Sequence, residues 1–300
     1  MTFNDFVSKG WNDHVHDSAG VMQRLPEGID LASDPGHPPQ LAALIVHVAG
    51  EHLGRWAEGD ALLARLLDRG LCPPDSQQCR AIWRSRAILA HCDGDRQRED
   101  ELMARAGSQP SDRIRLLATA SSALLGQKRV NEAMRDFQEA LALASYGPGK
   151  DDPAASALAV TGNNIACDLE LRADRTAEET AMMLEAARAG RKYWEISGTW
   201  ENVERAEYRL SAAHCAAGDG AAALEHARAC LAICTEHSAP GLELCFAHER
   251  IAYACQLLGD RSAARDARDA ALASVETIED EGDRDYCRGE IAKLTKVLEG

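Results

Sequence analysis

The sequence predicts an all-α solenoid, a stack of helical hairpins, and three observations predict it. Leu210, Gly218 and Leu231 recur as Ile251, Gly259 and Leu272, each pair 41 residues apart. A fixed period of this size marks two-helix units that bury their apolar faces only against their neighbours. Phe, Trp and Tyr together make up 5% of the chain, Ala, Leu, Arg and Glu dominate, and β-branched runs are missing, a composition that favours helix over strand. Nine of the ten prolines, all but Pro26, fall between helical stretches, where a residue without an N–H can end a helix or open one.

These breaks place hairpins at 38–71, 74–107, 110–147, 153–196, 199–238 and 240–278. The expected organisation is an N-terminal helical cap (1–36), a repeat array of about six hairpins (37–278) and a C-terminal capping helix (279–300). Pro26 is expected to bend or shorten the helix of the cap. Within the hairpins, Gly54-Arg55, Gly94-Asp95, Gly218-Asp219 and Gly259-Asp260 end first helices, with glycine in the left-handed conformation that closes a helix C-terminus. Gly59, Ala133, Ala223 and Ala264 follow where two helices must cross closely. The fourth unit departs from this grammar: Arg172-Ala-Asp-Arg175 replaces the glycine turn, and Thr176-Ala-Glu-Glu179 reads as a capping box that starts the second helix.

Gln127-Lys-Arg-Val-Asn-Glu-Ala133-Met-Arg-Asp-Phe137-Gln-Glu-Ala140-Leu141 resembles the second helix of the tetratricopeptide repeat. Trp83 with Ala87 and Gly94, and Leu210 with Ser211 and Gly218, resemble its first helix. The period of about 40 is longer than the common 34 and resembles the long-helix members of that family. The resemblance implies a right-handed α-solenoid of tetratricopeptide-like hairpins with atypical capping ends. It also implies a concave face lined by first helices, and a non-enzymatic scaffold or adaptor that binds a protein or peptide there without a cofactor.

The net charge of −15 speaks against nucleic acid, which requires a basic stripe that displaces counterions, and against an anionic membrane surface. No run of roughly 18 apolar residues is present to span a bilayer, and the first residues show no basic region leading into an apolar core. A cytoplasmic protein is the expectation, with its ten cysteines reduced and mostly buried in helices.

Arg209 and Arg250 stand 41 residues apart, Arg205 lies one turn before Arg209, and Asn164 holds a comparable place one unit earlier. If first helices face inward, the four make a basic and amide ladder suited to a peptide with an acidic tail. The alternative is that Arg205 and Arg209 pair with Glu201 and Glu204 on a solvated face. Tyr193, Trp194, Trp200 and Tyr208 are expected to fill the irregular turn around Gly198 rather than to anchor a partner.

A metal-binding reading rests on His226, Cys230 and Cys234, which share one helical face with His237. All four residues span about 16 Å along a helix and cannot close on one tetrahedral ion; Cys230 instead takes the small buried place that Ala140 and Ala271 hold in other units. His14 and His16 point about 200° apart on a helix, and His47 and His52 about 140° apart, so neither pair is expected to converge. A third reading is a regulatory sensor that binds a small peptide or metabolite.

Overall fold

In the computed structural model, residues 1–107 and 109–299 are described, and among them there are fourteen α-helices, one π-helix, one 3-10 turn and no strand. Packing divides the chain into two compact units, residues 1–148 with 152–161, and residues 149–151 with 162–300.

The first unit contains α1 (Phe3–Leu31), α2 (His37–Ile45), the π-helix (Val46–His52), α3 (Trp56–Asp68), α4 (Gln77–Asp93), α5 (Arg96–Ala106), α6 (Pro110–Gly126) and α7 (Val130–Leu143). Its core is built of large aliphatics: Leu25, Ile29, Leu41, Leu44, Leu63 and Leu89 are fully buried, with Phe137. The helix α8 (Pro153–Glu170) begins in this unit and ends in the second. The second unit continues with α9 (Ala177–Ser197), α10 (Trp200–Ala216), α11 (Gly220–Glu236), α12 (Gly241–Leu257), α13 (Arg261–Val275) and α14 (Glu281–Glu299). Its core sets large residues such as Leu169, Met183, Ile291 and Leu294 among many small ones: Ala213, Ala223, Ala227, Cys230, Ala252, Ala264 and Ala271 are fully buried. Small side chains let helix backbones approach, and close-packed interiors gain their dispersion energy from that approach.

The Gly-Asp pairs act at both ends of each turn. Gly94, Gly218 and Gly259 have φ of +86°, +79° and +79°, a conformation open to glycine and costly for residues with a Cβ. The aspartate after each glycine caps the next helix: Asp95, Asp219 and Asp260 accept hydrogen bonds from the backbone N–H of Arg98, Ala222 and Ala263 at 3.0–3.1 Å. The fourth unit uses a side chain instead. Arg175 donates to the carbonyls of Leu169 and Glu170 at 2.8 and 2.7 Å, satisfying the last turn of α8, and the capping box of Thr176 and Glu179 starts α9.

The sequence period also appears as a spacing between touching partners. Ser111 donates to Asp152 at 2.6 Å, Arg175 to the Ala216 carbonyl at 3.0 Å, and Gln256 to the Val297 carbonyl at 3.4 Å, each across 41 residues.

One expectation is corrected. The break in α1 lies at Asp17 (φ −145°, ψ 60°), with Pro26 inside the helix beyond it. Asp17 Oδ1 accepts from the Gly20 N–H at 2.9 Å, so α1 is two helices end to end, the second capped by Asp17. Among the described residues no helix is long and apolar enough to cross a membrane.

Candidate functional site

In the second unit, α8, α10, α12 and α14 border one hollow of about 450 Å³. The helical repeat selects the residues that reach it. Glu204, Arg205, Tyr208 and Arg209 lie on adjacent turns of α10; Leu242, Glu243 and Phe246 lie on adjacent turns of α12. Asn163 enters from α8 and Tyr286 from α14. Tyr208, Phe246 and Tyr286 form an aromatic wall, with ring centroids 6.0 Å apart edge-to-face for the first pair and 6.2 Å for the second. Tyr286 is 60% exposed.

Arg205 and Arg209 each have a carboxylate neighbour from another helix. Arg209 is ion-paired with Glu170 of α8. Arg205 reaches Glu243 of α12 at 3.5 Å while its side chain stays 65% exposed. Arg250 lies behind the hollow, 11% exposed, over the rings of Tyr208 and Tyr253 at 5.0 and 4.4 Å, with Glu249 at 3.3 Å. Burial raises the Tyr208 hydroxyl and the Glu249 carboxyl above their usual ranges. Arg209 Nε, Arg250 Nε and Glu243 Oε2 are buried without a hydrogen-bond partner. Such atoms are uncommon in native folds and each costs about 1–3 kcal/mol.

The sequence ladder is therefore distributed. Arg205 and Arg209 line the hollow, Arg250 packs beneath it, and Asn164 is exposed outside it while its neighbour Asn163 lines it. The carboxylates facing Arg205 and Arg209 are Glu243 and Glu170 rather than Glu201 and Glu204. Leu242, Glu243, Phe246 and Tyr286 carry no motif that nominates them from sequence. Spacing holds a signal for one of them: Phe246 is 41 residues after Arg205, in the same register of the next repeat. The four aromatics at the junction separate: Tyr193 is buried, Trp194 abuts Gly198, Trp200 stacks on His237 with centroids 4.8 Å apart, and only Tyr208 joins the hollow.

His226 separates from Cys230 and Cys234, which stay together. His226 Nδ1 sits 2.7 Å from Glu207 Oε2, and its ring stacks on His214. Cys230 and Cys234 are fully buried with Glu204, and the Cys230 thiol donates to Glu204 Oε1 at 2.9 Å. Hydrogen bonding with Cys234, burial and Glu204 itself push the Cys230 thiol far up, and burial pushes the Glu204 carboxyl up. Glu204, Cys230 and Cys234 thus form one buried, hydrogen-bonded cluster whose oxygen and sulfur atoms lie within 4.8 Å of one another.

No protein-family model matches the chain, and no curated protein matches it. Among solved structures it is similar to the TPR2AB domain of yeast Sti1 in a pHSP90 complex, at 12% identity over 99% of this chain and 98% of that one, with a TM-score of 0.37. It is also similar to the TPR domain of P58(IPK), at 13% identity over 99% and 98%, with a TM-score of 0.28. Superposition at these scores is loose. The helical hairpins are defined by this chain's own helices, turns and caps.

Proposed function

We propose that the second unit is a non-enzymatic binding module that takes an extended peptide segment across α10, α12 and α14, as a scaffold or adaptor would. Tyr208, Phe246 and Tyr286 accept an apolar or aromatic side chain, and the exposed guanidinium of Arg205 receives a carboxylate of the same segment. The observation that carries this reading is the combination in one hollow of an aromatic wall with a buried donor, Arg209 Nε, and a buried acceptor, Glu243 Oε2, that the fold leaves unmet. A peptide backbone offers one donor and one acceptor per residue and can meet both once the Arg209 and Glu243 side chains turn toward it. The acidic balance of the chain favours a segment whose acidic group is local, close to Arg205, within a partner that is otherwise basic or apolar.

The test uses an array of carboxyl-terminal peptides with aromatic and acidic positions varied independently, probed with the full chain. Binding selected for both features, and weakened about 30-fold or more by Arg205→Ala combined with Tyr286→Ala, corresponds to about 2 kcal/mol at a hot spot. Both residues are exposed, so melting temperatures should stay equal. Peptide binding indifferent to both substitutions would remove the hollow from consideration.

A further inference from the structure

We propose that His14, His47 and His52 form a binding site for a divalent transition metal of the zinc class, where α1 meets the π-helix in the first unit. One ring nitrogen from each lies within 4.8 Å of the others. His47 Nε2 and His52 Nε2 are 3.1 Å apart, close to the roughly 3.3 Å that separates two donors on a tetrahedral ion with zinc–nitrogen bonds of 2.0–2.1 Å. The three rings have centroids 4.7–5.0 Å apart and are crossed at 70–81° to one another, so their edges, where the nitrogens lie, turn toward a shared point.

The π-helix is what brings two of them together. On an ordinary helix His47 and His52 diverge by about 140°. Here the backbone from Val46 to His52 closes i→i+5 bonds, and residues five apart stand one above the other. Such wide turns occur often at functional sites.

The groups behind the rings fix which nitrogen is free. His14 Nδ1 lies 2.6 Å from the Trp11 carbonyl, which can only accept, so Nδ1 carries the proton and Nε2 keeps its lone pair. His47 Nδ1 lies 3.1 Å from Glu51 Oε2, a carboxylate–imidazole contact that leaves Nε2 for the metal in the same way. Trp11 packs its ring 5.1 Å from that of His47 and supplies an apolar flank. His52 is exposed, so a fourth position opens to solvent, where water or a partner's side chain can complete the shell. Imidazole donors suit zinc, copper and nickel better than calcium or magnesium. No part of this site is shared with the peptide hollow.

The experiment titrates the untagged full chain, cleared with chelator, with Zn²⁺ by calorimetry and with Co²⁺ by absorption. The expected result is one equivalent bound and a Co²⁺ spectrum without the charge-transfer band of thiolate ligation. His14→Gln, His47→Gln and His52→Gln each weaken binding at least 10-fold, and Glu51→Gln by about 10-fold or more. Zn²⁺ raises the melting temperature of the wild type and leaves that of His47→Gln unchanged. His52 is exposed, so His52→Gln keeps the test sound should a change at the half-buried His47 disturb the fold. The absence of stoichiometric binding, equal affinity in all the variants, or a thiolate band abolished by Cys230→Ala would overturn the proposal.

Discussion

His91 Nε2 lies 2.7 Å from Asp136 Oδ2, joining α4 to α7 across 45 residues, while its Nδ1 lies 2.9 Å from Glu99 Oε2 on α5. All three side chains are 2% exposed. One imidazole is thus held between two carboxylates from neighbouring hairpins, with Arg96, Arg113 and Arg135 at the rim. Burial works against the charged ring, but hydrogen bonds to Asp136 and Glu99 outweigh it and raise His91 above the usual imidazole range. Burial likewise works against the Glu99 carboxylate, and its bonds to His91, Arg96 and Arg113 overcome that, bringing it down to about 2. Asp136 is lowered by the same balance, chiefly through His91.

These shifts make stability depend on pH. A raised His91 stabilises fully below the imidazole's unfolded value of about 6.5 and loses that contribution as pH climbs through its higher folded value. Glu99 stabilises above its unfolded value of about 4.3 and loses its contribution only as pH falls toward 2. The network is complete between about pH 4.5 and 6.5. Thermal melts should show the wild type losing stability above that window. His91→Gln should cost about 3 kcal/mol at pH 6, because it leaves two carboxylates buried without their central cation, and should flatten the alkaline slope. A slope that persists in the variant would assign it to other groups.

Two glycines should respond to alanine with opposite signs. A Cβ on Gly162 would meet the Ala186 carbonyl oxygen at 2.6 Å and the Gly190 nitrogen at 2.8 Å, both backbone atoms of α9. Neither can turn aside, so Gly162→Ala should destabilise by about 3 kcal/mol, the upper part of the overpacking range. Gly289 in α14 has nothing within 4 Å of that position, and Gly289→Ala should stabilise by about 0.5–1 kcal/mol through helix propensity. Denaturation midpoints that move in the same direction for both would contradict the packing described for α8 and α9.

Ala264 is fully buried on α13. Ala264→Leu should overpack it by about 1–3 kcal/mol. Urea melts should show a lower midpoint at unchanged slope; an unchanged midpoint would mean that the side chain points elsewhere.

Cys230→Ala fills the place with a residue that other repeats use there, yet it removes the S–H donor to Glu204 Oε1. Leaving a buried acceptor short of its partner should cost about 1 kcal/mol. A fully neutral Cys230→Ala would show that the thiol contributes packing alone.

The hairpin array is legible in the sequence because its signals are local. A glycine that must take positive φ and an aspartate that caps the next helix sit side by side at 94–95, 218–219 and 259–260, and a capping box at 176–179 announces its helix without help from tertiary contacts. The site is legible only in part. Repeat spacing puts Arg205 and Arg209 on one face of α10, but it carries no information about Glu170 and Glu243, which reach them from α8 and α12. The one-residue difference between Asn164 and Asn163 is a rotation of one helical step, below what a period of 41 can fix. The convergence of His47 and His52 runs against the sequence expectation, which rests on a rotation of about 100° per residue, and nothing in 46–52 announces a wider turn.

A π-turn takes one residue more to close than an α-turn. Deleting a single position between Val46 and His52 would therefore let the segment close ordinary α-turns as a continuation of α2. Most length changes in proteins are confined to loops. Here one would be absorbed within a helix, where α2 runs on into the π-helix.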